Sequence, residues 1–216
     1  MERLEIRTPD GSLMVTKYSA RENPRGIAFL FPGRGYGIDQ PPFHFLIQVL
    51  EARGYDVLAL RYWHQVQGVS PEPEEEGYRR SLEEARSLVR YALERRHYDR
   101  IVLVGKSYGT RIMNDLCLEM PDLARSRLVY LTPVFPWEGF PEKFARLSQP
   151  ALVVLGTRDQ CYDAVQLEKL AAQRPFELTV LPNFHHRLED PDDWQKSIHG
   201  LETICKATER FLDSTD

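Results

Sequence analysis

The chain has 216 residues, 42% of them hydrophobic and 28% charged, with a formal net charge of −4. That length suits one well-buried core and is short for two, so residues 1–216 are expected to form a single domain. The slight acidity leaves no electrostatic footprint for nucleic acid, and no apolar run approaches the roughly 18 residues that cross a bilayer. The start, Met1 to Glu5, lacks the apolar core of a signal peptide. Three widely spaced cysteines, Cys117, Cys161 and Cys205, fit a reducing cytoplasm and offer neither a disulfide framework nor zinc-ligand spacing. The expectation is a cytoplasmic protein with no nucleic-acid and no membrane partner, monomeric or a small homo-oligomer.

In chain order, Leu4 to Arg7 and Leu13 to Tyr18 alternate around Pro9-Asp10-Gly11, which predicts a β-hairpin. Ile27 to Phe31 is a continuous apolar run ending at Pro32-Gly33, the pattern of a strand buried on both faces. Phe43 to Arg53 reads as a helix and Val57 to Leu60 as the next buried strand. Pro71 to Glu76 reads as a loop leading into the acidic first turn of a helix. That helix starts near Glu74 and carries Tyr78, Leu82, Ala85, Val89 and Ala92 on one face. Its Arg79-Arg80 and Arg95-Arg96 pairs alternate with Glu and read as a solvated face. Ile101 to Val104 is a strand, followed by helical periodicity from Arg111 to Met120. Leu128 to Leu131, Ala151 to Leu155 and Leu178 to Leu181 are three more strands. A last helix begins near Asp193, with Trp194, Ile198, Leu201, Cys205, Thr208 and Leu212 on one stripe. Asp190 and Asp192, around Pro191, are its expected caps. Strands alternating with helices specify an α/β fold: a mostly parallel, doubly wound sheet with helices on both faces and an antiparallel N-terminal edge.

The most specific signal is Gly105-Lys106-Ser107-Tyr108-Gly109, set between a strand and a helix. Gly-x-Ser-x-Gly in that context is a nucleophile elbow, a turn so tight that the Ser backbone is strained and its neighbours must be glycine. A Ser hydroxyl needs a base within hydrogen-bond reach, and the base needs an acid to hold it. In an open α/β sheet such groups follow the C-terminal ends of strands. After Ala151 to Leu155 comes Gly156-Thr157-Arg158-Asp159. After Leu178 to Leu181 comes Pro182-Asn183-Phe184-His185-His186. Either histidine meets the requirement by position alone. Asp163 reads as the start of the following helix.

With Ser, Asp and His in that chain order, the sequence resembles the α/β-hydrolase superfamily from Ile27 to the final helix, in particular the small dienelactone-hydrolase-like and carboxylesterase-like members. The resemblance implies Ser107 as nucleophile and Asp159 as the acid. It places the base at His186, because Asn183 stands where the family usually has Gly. It implies oxyanion-hole amides from Tyr108 and Arg34. The loop Pro32-Gly33-Arg34-Gly35-Tyr36-Gly37 resembles the family's His-Gly-x-Gly loop, with Pro32 in the place of His. The short connection 132–150, where the family inserts its cap, leaves room for a short helix or loop and for no large lid. Phe135, Trp137 and Phe140 there either line an acyl pocket or pack the proline-rich loop. Tyr36 is expected in the substrate pocket, and Trp63 and His64 on its opposite rim. Cys161, near Asp159, reads as a small apolar residue.

Other readings of the glycine-rich loops fail on spacing. Gly105-Lys106-Ser107 lacks the upstream glycine of a phosphate loop, since position 100 is Arg, and 33–37 has its third glycine one residue too early for a dinucleotide fingerprint. No metal and no cofactor are expected. The implied function is hydrolysis of a carboxylic ester of a small-molecule acyl substrate through an acyl-enzyme, with a thioester or amide as related possibilities. The alternatives are acyltransferase or lyase chemistry on the same fold, or a binding scaffold.

Overall fold

The computed structural model describes residues 2–8, 11, 13–69 and 74–214. Pro9 and Asp10 of the expected hairpin turn, and Pro71 to Pro73 of the expected loop, lie outside the described residues. The elements are β1 (Glu2–Arg7), β2 (Leu13–Ser19), β3 (Gly26–Phe31), α1 (Pro41–Ala52), β4 (Tyr55–Ala59), α2 (Trp63–Gln67) and α3 (Glu74–Leu93). They continue with β5 (Ile101–Lys106), α4 (Tyr108–Glu119), β6 (Arg127–Leu131), α5 (Phe140–Ala145), β7 (Ala151–Gly156), α6 (Ala164–Gln173), β8 (Glu177–Leu181) and α7 (Trp194–Asp213). A 3-10 turn at Pro121–Leu123 precedes β6.

The strands form one eight-stranded sheet in the order β1-β2-β4-β3-β5-β6-β7-β8. β1 pairs antiparallel with β2, and β2 with β4; every other pairing is parallel. The period of two in a strand sends alternate side chains to opposite faces. In β3, Ile27, Phe29 and Phe31 join one core, while Ala28 and Leu30 join the other. The first core packs the apolar faces of α3, α4, α5 and α6, through Tyr78, Leu88, Ile112, Leu116, Phe144 and Leu167. The second packs α1 and α7, through Phe43, Leu46, Ile204 and Phe211. Burial on both faces is why these strands read as continuous apolar runs.

Two features of α7 depart from expectation. Its N-cap is Asp193, whose carboxylate accepts from the amides of Gln195 and Lys196; Asp190 and Asp192 do not cap it. Asp190 instead accepts from Asn183 Nδ2 and from the amide of Asp192. The start of the expected stripe is also exposed, with Trp194 at 71% and Ile198 at 57%. The buried face runs through Gly200, Ile204, Ala207 and Phe211. Gly200 sets it: a Cβ there would lie 2.2 Å from the Phe184 ring, so the bare backbone receives that ring. Among the described residues, no helix is long and apolar enough to cross a membrane.

The chain order reverses at β3, with β4 on one side and β5 on the other. Such a switch point opens a crevice at the carboxyl ends of its strands. Here the crevice lies between the loop after β3 and the turn after β5.

Candidate active site

β5 ends at Lys106 and α4 begins at Tyr108, so Ser107 alone makes the turn. Its backbone sits at φ 49°, ψ −116°, a strained position for a residue with a Cβ. The turn is held by the amide of Ser107 donating to Leu131 O and by Thr110, whose amide and hydroxyl both donate to Ser107 O. Gly109 is required: a Cβ there would stand 2.0 Å from Phe31 O. The elbow therefore packs directly on the end of β3.

His186 Nε2 lies 2.8 Å from Ser107 Oγ. On its other side, His186 Nδ1 lies 2.9 and 3.0 Å from the two carboxylate oxygens of Asp159. The carboxylate is fully buried and also accepts from the amide of Cys161 at 2.8 Å. An acceptor-only partner at Nδ1 selects the tautomer that carries its proton there, which leaves Nε2 free to accept from Ser107. Of the two adjacent histidines, it is His186 that faces Ser107. His185 instead lines a concavity of about 730 Å³ with Pro41, Leu188 and Trp194. The turn that delivers His186 uses Asn183 at φ 69°, the left-handed region that Asn tolerates best after Gly. Asn183 is further anchored to Thr157 Oγ1 and Asp190. This is the physical basis for Asn in the place of the expected Gly.

Asp159, Cys161 and His186 bring three potential metal-ligand atoms within 4.8 Å of one another. The His and Asp atoms are already bonded to each other. Burial, with Asp159 beside it, pushes the Cys161 thiol up to about 12, so it behaves as a small neutral group. Two of the three ligand atoms are thus already engaged in the hydrogen bond between His186 and Asp159.

The loop after β3 lies against the elbow, since a Cβ on Gly33 would be 3.7 Å from that of Ser107. Gln65 Nε2 donates to Gly33 O at 2.8 Å, and His64 Nε2 donates to Arg34 O at 3.2 Å. In a trans peptide the N–H points opposite to the C=O. Fixing Gly33 O on Gln65 therefore directs the amide of Arg34 away from α2. Tyr108 is the first residue of α4, so its amide has no acceptor within the helix. Its ring is buried in edge contacts with Tyr62, His64 and Tyr78, which fixes the start of the helix.

The expected rim residues divide. His64 is 2% exposed, stacked on Tyr62, and burial lowers its pKa; it supports the Arg34 loop from below rather than forming an open rim. Gln65, which sequence reasoning missed, does the same for Gly33. Trp63 turns to α3, where the Arg80 guanidinium lies 4.3 Å above its ring. Phe135 is 1% exposed and packs edge-on against Phe140 and Phe144, so packing of the loop accounts for it. Trp137 is half-buried on the same core, with the Arg111 guanidinium 6.0 Å from its ring. Tyr36 is buried beside the elbow, its ring 4.4 Å from Lys106 Nζ.

No protein-family model matches the chain, and no curated protein matches it in sequence. Solved structures do resemble it. An α/β serine hydrolase homologue from Coxiella burnetii aligns over 95% of this chain and 96% of its own, with a TM-score of 0.71 at 17% identity. An esterase from Pyrococcus furiosus aligns over 98% of this chain and 90% of its own, with a TM-score of 0.75 at 13% identity. A lidless α/β serine hydrolase from Xanthomonas campestris aligns over 100% of this chain and 96% of its own, with a TM-score of 0.73 at 15% identity. With the mixed eight-stranded sheet and a connection between β6 and β7 that holds only α5, these likenesses show that the chain has the α/β serine hydrolase fold without a large lid.

Proposed function

We propose that the protein is a serine hydrolase that cleaves a carboxylic ester of a small molecule through an acyl-enzyme on Ser107. The observation that carries this reading is the continuous array from Ser107 Oγ through His186 to Asp159, with each link within 3.0 Å. Ser107 Oγ attacks the acyl carbonyl while His186 Nε2 takes its proton. Asp159 stabilises the imidazolium that forms, and the imidazolium then protonates the leaving alcohol. Water, activated by the same His186, attacks the acyl-enzyme and releases the acid. The negative charge of each tetrahedral intermediate falls to the amide of Tyr108, at the positive end of the α4 dipole, and to that of Arg34 on the loop after β3. All the groups this chemistry needs come from the chain itself. The esterase from Pyrococcus furiosus, among the structural neighbours, favours an ester over a thioester or amide.

The test is active-site labelling with a fluorophosphonate probe, together with turnover of p-nitrophenyl esters of graded acyl length. Wild type is expected to be labelled at Ser107 and to hydrolyse the esters. Ser107→Ala should stay folded and lose turnover by a factor on the order of 10⁴ or more. Turnover in that variant above a tenth of wild type would refute the assignment.

A further inference from the structure

Lys106 is the residue of the site for which the mechanism above has no use. It precedes the nucleophile, at the end of β5, and is 1% exposed. An isolated ammonium in such a place is costly, and an apolar residue of similar length would pack β5 more cheaply. Its contacts show what the charge is bonded to. Nζ donates to His186 O at 2.8 Å and to Thr132 Oγ1 at 3.0 Å, and it stands 4.4 Å from the centre of the Tyr36 ring. The ammonium thus has two hydrogen-bond acceptors and the face of one aromatic ring within reach.

The topology shows what this tether joins. His186 sits on the loop after β8, which is the edge strand of the sheet and only partly buried. Among the described residues no strand lies beyond β8, and the loop is held from β7 and α7, by Thr157, Arg158 and the contact of Phe184 with Gly200. Thr132, by contrast, is fully buried at the end of β6, its amide bonded to Val154 O. Its backbone takes the left-handed φ of 47°, and its hydroxyl accepts from Lys106 Nζ. A cation joined at once to Thr132 and to the backbone of His186 adds a direct link from that loop to the centre of the sheet. It does so at the residue that must meet Ser107.

We propose that Lys106 is a positioning residue, whose ammonium holds the backbone of His186 against Thr132 and so keeps the imidazole in register with Ser107 and Asp159. The proposal rests on the serine-hydrolase reading above and adds to it a role outside the triad and the oxyanion hole. A displacement of the base by about 1 Å is enough to cost on the order of 10²-fold in rate. A residue that acts only through the base leaves ground-state binding alone.

The experiment compares wild type, Lys106→Met and Lys106→Arg by ester turnover, by the rate of fluorophosphonate labelling and by the downfield proton resonance of the His186–Asp159 hydrogen bond. For Lys106→Met, kcat should fall by about 10- to 100-fold with KM within about threefold of wild type. Labelling should slow by a similar factor, and the downfield resonance should broaden or vanish while circular dichroism stays native. Lys106→Arg, which keeps charge and donors, should recover part of the loss. Lys106→Met with kcat and labelling within threefold of wild type would overturn the proposal. If that variant does not fold, Thr132→Val, which removes one anchor without changing shape, should lower kcat several-fold at constant KM; an unchanged kcat there overturns it equally. Absence of wild-type labelling would refute the serine-hydrolase reading itself, and the role of Lys106 with it.

Discussion

Lys106→Met also perturbs folding, and the structure sets the sign and the pH window. The side chain keeps its length and loses its charge. In the native protein, burial lowers the ammonium from 10.5 to about 8, with the Asp159 carboxylate opposing the shift. The unfolded chain keeps the ordinary value. Between about pH 8 and 10.5 the unfolded state therefore binds more protons than the native state, and this group makes stability rise with pH. Below about pH 8 both states are protonated and the native state bears the whole cost of the buried charge. At about 1.4 kcal/mol per pH unit, that cost is roughly 3 kcal/mol. About 2 kcal/mol of it should be relieved between about pH 7 and 9.5. The two acceptors left without their donor in the variant, Thr132 Oγ1 and His186 O, cost about 1–3 kcal/mol each when dry, but that offset does not vary with pH. Buried thiols move the other way: burial pushes Cys117 up to about 12, so it loses native stability as pH rises past the ordinary thiol value of 9.0. That contribution is common to both proteins, so the readout is the difference between them. Urea unfolding at about pH 7, 8.5 and 9.5 should show wild type gaining about 2 kcal/mol on the variant, roughly 1 M in midpoint for a slope of about 2 kcal/mol/M. A difference constant to about 0.5 kcal/mol across that range would mean that the ammonium is not desolvated as the structure has it.

Two further outcomes follow from the site geometry. His186→Ala should cost nearly as much turnover as Ser107→Ala, because members of such an array act as a unit, whereas His185→Ala, on the far side of the loop, should stay within about tenfold of wild type. Steady-state kinetics on the two variants decides it, and the reverse ranking would move the base to His185. Gln65→Ala should release Gly33 O and with it the orientation of the Arg34 amide. The expected loss is about 10- to 100-fold in kcat with little change in KM or in melting temperature. An unchanged kcat would remove Arg34 from the oxyanion hole.

Five of the six apolar runs were legible because burial on both faces demands them, and the sixth, Leu178 to Leu181, became the half-exposed edge strand β8; all six fell in the expected order. The elbow was legible because close packing on Phe31 demands glycine at 109, and glycine is visible in a sequence. Strand ends narrowed the partners of Ser107 to Asp159 and one of two adjacent histidines; the resemblance chose His186, and it is His186 whose Nε2 lies 2.8 Å from Ser107 Oγ. Hidden from the sequence were the groups that hold these residues still. Lys106 meets His186 across 80 positions and Thr132 across 26. Gln65 meets Gly33 across 32, from a helix of five residues that is too short to show a period. The two readings of Phe135 stayed open, and the start of α7 was misread, for the same reason: an aromatic side chain near a site and an apolar stripe on a helix state hydrophobicity but not its direction. The direction was set by contacts elsewhere, by Phe144 for Phe135 and by Gly200 for α7. A sequence therefore exposes reacting groups more readily than their supports. Reacting groups must stand at strand ends, where the chain marks itself with turns and glycines, whereas a support needs only the right reach, from any element that passes nearby.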